Sequence, residues 1–267
     1  MKKIIAVILS LALCIGLLAG CGAAKDEKVI TVAASPTPHA WILQTAAEIL
    51  AEDGWTLEII EYSDYVVPNN VVDEGEVDAN YFQHTPYLDT FNAENGTKLV
   101  AVAEIHYEPF ALYPGTKVKL EELTTGDKIA VPNDGSNRAR ALMLLESAGL
   151  ITLAEGVGMQ ATILDIVENP IGLQIVEMEA AQIAGVRDSV AMAVINGNYA
   201  LHAGLFAGND GIVAEGPENA NVYANILVVK EGNENSEKTK ALIAALQSAQ
   251  VKEYMETTFP GSVVPCF

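Results

Sequence analysis

Three stretches of the chain place binding-competent side chains directly after apolar runs. Val131-Pro132 leads into Asn133-Asp134-Gly135-Ser136-Asn137-Arg138-Ala139-Arg140. A helix starting there offers free N–H groups and partial positive charge to an anion. The Arg140 guanidinium can hold a carboxylate through two parallel bonds, although two surface arginines would show the same spacing. Val194-Ile195 leads into Asn196-Gly197-Asn198-Tyr199, whose amides can accept from an ammonium group or simply cap a helix. The third stretch is Tyr81-Phe82-Gln83-His84-Thr85-Pro86-Tyr87, with Tyr65 upstream. Aromatics this dense pack cores; beside an amino-acid clamp they would form an apolar wall suited to a thioether.

Patterns for covalent or metal chemistry are missing from the sequence. GxxxxGK[ST], HExxH and GxSxG do not occur. Gly156-Val157-Gly158-Met159-Gln160-Ala161 fits GxGxxA, but it follows no clear strand and reads as a loop. No two of His39, His84, His106 and His202 have the helical spacing of a ligand pair. A hydrolase built on His84 or His106 would lack a partner nucleophile. The expectation is therefore no metal, no cofactor and no catalysis. Glu74, Glu76 and Asp78 read as a solvated acidic turn.

The elements that would position these residues alternate between strand and helix, which gives an α/β architecture. Strands are expected at Val29 to Ala34, Trp55 to Ile59, Val77 to Phe82, Lys98 to Ile105, Lys128 to Pro132, Ala191 to Ile195 and Ile226 to Val229. The Ala191 to Ile195 run is apolar throughout, as in a strand of a parallel sheet buried on both faces. Helices are expected at Trp41 to Glu52, at Arg138 to Ala148 with Gly149 closing it, and at Ser236 to Tyr254. Two lobes would exchange the chain near Tyr113-Pro114-Gly115-Thr116 and again near Asn225. That gives 29–113 with 226–267 as one lobe and 114–225 as the other.

The first residues read differently. Met1-Lys2-Lys3, an uncharged apolar run from Ile4 to Leu18, and Leu18-Ala19-Gly20-Cys21 form a bacterial lipoprotein signal at residues 1–20. Cys21 would carry acyl chains, and residues 21–28 would be a flexible tether to the outer face of the cell membrane. Cys14 would leave with the signal, so Cys266 has no internal disulfide partner and is expected to be an edge residue without function. The 267 residues carry a net charge of −20, which argues against nucleic acid and against a basic face on anionic lipid. Such charge suits a self-repelling monomer.

Several segments closely resemble the methionine-binding lipoproteins of the MetQ/NlpA type, the capture subunits of ABC importers. They are Asp64-Tyr65-Val66 with Pro68-Asn69, Asp78 through Leu88, Ile129 through Asp134, Asn137 with Arg140, and Ala193 through Ala200. The resemblance implies a two-lobed periplasmic-binding-protein-like fold of type II, with a mixed sheet in each lobe and the ligand between them. It implies that Tyr65, Phe82, His84 and Tyr87 line a side-chain pocket, that Arg140 clamps the ligand carboxylate, and that Asn196 and Asn225 hold the polar end. It also implies hinge closure on L-methionine, with D-methionine or short methionine peptides as variants, and docking to a membrane permease with its ATPase. The alternatives are another small amino acid or peptide on the same scaffold and, behind these, a metal-binding or surface-interaction lipoprotein. Arg138 falls where the family does not require arginine.

Overall fold

The protein is described here from a computed structural model, over residues 28–267. The signal, Cys21 and the tether up to residue 27 lie outside the described residues. The chain begins with β1 (Val29–Ala34), α1 (Trp41–Glu52) and β2 (Thr56–Glu61). It continues through α2 (Val67–Asp73), β3 (Ala79–His84), α3 (Thr85–Asn95) and β4 (Leu99–Tyr107). A second group holds β5 (Ala111–Pro114), β6 (Lys128–Pro132), α4 (Gly135–Ser147), β7 (Thr152–Leu153), β8 (Ile166–Glu168) and β9 (Gln174–Met178). It ends with α5 (Ala180–Val186), β10 (Met192–Ile195), α6 (Gly197–His202) and β11 (Val213–Ala214). The chain then returns through β12 (Ala224–Lys230), α7 (Glu237–Leu246), α8 (Ala249–Thr258) and β13 (Val264–Pro265).

Two mixed sheets result, one per lobe, as expected. The first has the order β13-β4-β12-β3-β1-β2 and the second β11-β5-β10-β6-β9. Ile42, Leu43, Ala46 and Leu50 of α1 share one core with Leu242 and Leu246 of α7 and with Val251 and Met255 of α8. In the second lobe, Leu142 and Leu145 of α4 pack on Ile129, Val131 and Val194. Each lobe therefore has its own apolar interior, and the space between them is left to polar and aromatic side chains.

The sequence reading needs correction at six places. The first crossing comes earlier than Tyr113, because Ala111–Pro114 already pairs antiparallel with β10 in the second sheet. The return is complete before Asn225, which sits in β12 of the first sheet. Residues 108–110 and 215–223 thus carry the chain between lobes. β10 is parallel to β6 but antiparallel to β5, so its burial reflects a mixed sheet. α4 starts at Gly135 rather than Arg138, because the Asp134 side chain accepts from the Asn137 N–H at 2.9 Å and caps the helix. The expected single last helix is two, since Ser248 caps a new one by accepting from the Val251 N–H at 3.2 Å. Finally, Asp78 is not simply solvated: it is half-buried and pairs with Lys238 at 2.9 Å.

Candidate functional site

Sheet register assembles the first half of the site. Asn225 on β12 lies opposite His84 on β3 and His106 on β4, so three polar side chains form a row across adjacent strands. Glu108 follows in the crossing segment. The second lobe adds the carboxyl ends of β6 and β10, with Asn137 and Arg140 on α4 and Asn196 to Asn198 entering α6. Such strand ends are where open α/β sheets leave room for ligands.

One interlobe cavity is lined by Tyr65, Phe82, His84, Tyr87, Arg140, Asn196 and Asn225, the seven residues singled out from sequence. Gln83, Glu108, Asn137, Gly197 and Asn198 also line it. All of these but Glu108 stand inside or beside the segments quoted above. The only sequence signal for Glu108 is a lone acid between apolar Ile105-His106-Tyr107 and Pro109-Phe110. The free space is about 20 Å³, room for one water molecule and less than any amino acid needs. Entry of a larger ligand requires the lobes to part.

Arg140 is buried but does not present the open fork expected of it. Its Nε and Nη2 donate to the Glu215 carboxylate at 2.8 and 2.5 Å, and Nη2 also reaches the Glu108 carbonyl at 3.2 Å. Glu215 accepts further from the Tyr107 hydroxyl at 2.9 Å and the Phe110 N–H at 3.1 Å. This binds both crossing segments to α4. Glu215 takes Nε and Nη2, which leaves Nη1 as the end of the guanidinium charge that this carboxylate does not hold. The rings of Tyr223 and Phe110 lie 4.0 and 4.7 Å from Cζ, which shields that charge from water.

Acceptors gather elsewhere in the cavity. Asn196 donates through Nδ2 to Asn137 Oδ1 at 2.9 Å, while its own Oδ1 is buried with no partner. The Glu108 carboxylate is buried, and burial pushes its pKa above the ordinary range, although His39, Arg140 and the Asn198 N–H nearby favour the charged form. Glu108 Oε1 accepts from His106 Nε2–H at 2.8 Å, and the Asn198 N–H also donates to this carboxylate. Gly197 makes the close approach possible. A Cβ there would stand 2.5 Å from Glu108 Cβ and 2.7 Å from Oε2. Buried acceptors that stay unsatisfied are costly, and they match an N–H donor such as an ammonium group.

The aromatic wall closes the space. Tyr65 lies 5.7 Å from both Phe82 and Tyr87 and stacks at 5.0 Å on Tyr199 from the other lobe. Hydrogen bonds cross the seam from the Tyr65 hydroxyl to Asn198 Oδ1 at 2.5 Å and from the Tyr199 hydroxyl to the Ser63 carbonyl at 2.9 Å. His84 Nδ1 accepts from the Tyr87 N–H at 3.2 Å and so caps α3, while Nε2–H donates to Asn137 across the seam at 3.2 Å. Burial, with Arg140 nearby, lowers the His84 pKa to about 3, so the ring is neutral.

Other candidates fall away from the cavity. Arg138 turns outward to Glu177 at 3.4 Å and borders a separate outer groove. Cys266 lies next to edge strand β13, its thiol pKa raised by burial to about 11. One possible metal-ligand atom each from His39, His106 and Glu108 converges within 4.8 Å, but His106 and Glu108 already bond directly there. No helix among the described residues is long and apolar enough to cross a membrane.

The chain is similar to proteins of known kind over nearly its whole length. It is 40% identical to the D-methionine-binding lipoprotein MetQ of Escherichia coli K12, covering 92% of each chain. The structure of lipoprotein Tp32 from Treponema pallidum matches with 41% identity and a TM-score of 0.86, over 90% of this chain and 100% of that one. A nutrient binding protein from Burkholderia cenocepacia, solved bound to methionine, matches with 40% identity and a TM-score of 0.85, over 89% and 100%. The model of the NlpA lipoprotein family spans residues 30–267, and the chain belongs to that family.

Proposed function

We propose that this protein captures methionine in the interlobe cavity and delivers it to a membrane permease of the ABC type. The observation that carries the reading is the division of polarity within one enclosed space. Unsatisfied Asn196 Oδ1 and the Glu108 carboxylate face an ammonium, Arg140 and the Asn225 amide face a carboxylate, and Tyr65, Phe82 and Tyr87 supply an apolar wall for the side chain. A free α-amino acid with a thioether side chain satisfies all three at once. The family membership and the methionine-bound relative support the same ligand.

Capture needs no bond chemistry. The ligand enters when the lobes part about 108–110 and 215–223, and it favours closure because only the closed form lets it touch both lobes. The closed form then docks to the permease. Acyl chains on Cys21 keep the protein at the extracytoplasmic face of the membrane, where high local concentration replaces tight docking.

The test is a thermal-shift panel of the amino acids, with both enantiomers of methionine, on protein starting after Cys21 and refolded to strip ligand. At a hundredfold excess over Kd, binding adds about 2.7 kcal/mol and raises Tm by about 5–11 °C. A flat panel would overturn the reading.

A further inference from the structure

Two histidines beneath the cavity, His39 and His106, play no direct part in the capture described above. Both are fully buried at the floor of the first lobe, with ring centroids 5.0 Å apart. Burial lowers their pKa values to about 4 and about 3, so each is a neutral ring with one N–H. The surroundings decide which nitrogen carries it.

For His106, Nδ1 accepts from the Tyr81 hydroxyl, which leaves Nε2–H to donate to Glu108 Oε1 at 2.8 Å. For His39, Nδ1 has no partner, and Nε2 lies 2.9 Å from Asn225 Oδ1 and 3.7 Å from Glu108 Oε1. Nε2 faces two acceptor oxygens while Nδ1 has no acceptor to donate to, so the hydrogen resides on Nε2. The consequences reach the cavity. His106 holds Glu108 by Oε1 and stabilises its charge, and the carboxylate, which also accepts from the Asn198 N–H, keeps acceptor lone pairs for a ligand N–H. His39 holds the Asn225 amide by its oxygen, so the group left to face the ligand is the donor Nδ2.

We infer that His39 and His106 are positioning residues that impose opposite polarities on Asn225 and Glu108, and so restrict the site to ligands carrying both a free amino group and a free carboxylate. The inference rests on the reading of the cavity as an amino-acid site. It assigns each histidine to one end of the zwitterion: His106 to the amino end through Glu108, His39 to the carboxylate end through Asn225.

The crossed assignment makes it testable by calorimetry with three probes: L-methionine, 4-(methylthio)butanoate, which lacks the amino group, and L-methioninol, which lacks the carboxylate. The parent protein should bind each analogue about 100-fold or more weakly than methionine, because a buried polar group is left unpaired. His106→Leu should narrow the butanoate gap to about tenfold or less and leave the methioninol gap unchanged. His39→Leu should do the reverse, and His106→Gln, whose amide can still donate to Glu108, should recover part of the butanoate gap. A merely structural role would weaken all three probes alike; that result overturns the inference and leaves methionine capture standing. A parent protein that binds no methionine overturns the proposed function and this inference with it. Independently of any variant, 15N spectra of the parent protein should show both rings as Nε2–H and untitrated from about pH 8 to about pH 5. An Nδ1–H tautomer, or a titration in that range, would overturn the inference even if the variants failed to fold.

Discussion

The first lobe contains two buried polar clusters, and they are built on opposite terms. Under α2 and β3, Asn69, Asn80 and Gln83 bond to one another at 2.5 to 3.1 Å, and Asn80 also donates to the Pro68 carbonyl. None of their buried side-chain atoms lacks a partner. At the interlobe floor, His39, His106, Glu108 and Asn225 meet Asn196 across the seam, and two buried atoms there, His39 Nδ1 and Asn196 Oδ1, have no partner. A closed network can only hold elements together. An open one costs stability, and it is retained where something else completes it. The first cluster fixes the α2–β3 packing that carries Tyr65 and Phe82, with only Gln83 reaching the cavity, and the second faces the proposed ligand site.

The largest break in that contrast is Arg140→Ala. It removes the cation from the cavity and strands Glu215 in the interior, so it should abolish methionine binding and also cost about 3–5 kcal/mol of stability. Calorimetry and urea unfolding together measure both losses. Full retained affinity would place the carboxylate contact elsewhere.

Glu108→Gln should separate the two properties. The neutral amide keeps the shape but loses the charge, so methionine affinity should fall about 30- to 100-fold. Stability should hold or rise, because burial already disfavours the Glu108 charge. The parent protein should show the same dependence in its pH profile. His39, His106 and Arg140 face this carboxyl, and the two rings stay neutral until about pH 4 and below. The group that titrates first on acidification is therefore Glu108, from its raised value. Affinity should be full above that value and fall as pH drops through it, a slope that Glu108→Gln removes.

Asn69→Ala should give the mirror image. Gln83 and Asn80 each lose a partner, at a cost of about 1–3 kcal/mol in urea unfolding, while methionine affinity stays within about twofold. An affinity loss as large as that of Glu108→Gln would erase the distinction between the clusters.

Much of this contrast was legible in the sequence, but not all of it. β1, α1 and β6 begin and end where periodicity and turn residues put them, because local signals set those ends. The cavity residues at the end of β3 and just after β10 were legible as polar and aromatic groups following apolar runs. Glu108 was not, since its meaning comes from two histidines, His106 beside it and His39 nearly 70 positions earlier after β1, which only the tertiary fold brings together. The Arg140–Glu215 pair was hidden for the same reason, the partners standing 75 positions apart in the sequence. The lobe boundary was misplaced because Phe110 to Tyr113 is apolar in either lobe, and only pairing with β10 decides which sheet takes it.

The smallest expected effect lies outside both clusters, where Asp78 opens β3 and meets Lys238 of α7. Burial pushes the Asp78 carboxyl up, but Lys238 at 2.9 Å and the Thr31 N–H and hydroxyl together outweigh it and hold the pKa below the usual value. A depressed carboxylate contributes stability above its unfolded pKa and loses it as pH falls through the folded one. Lys238→Gln should therefore cost about 0.5–1 kcal/mol at neutral pH, with the difference from the parent vanishing in strong acid once Asp78 is protonated in both. Methionine affinity should not change, because the pair ties α7 to the far end of β3 from His84. A pH-independent loss would mean that Lys238 acts through its packed methylene stem, and the charge on Asp78 would then be incidental to how the first lobe is held.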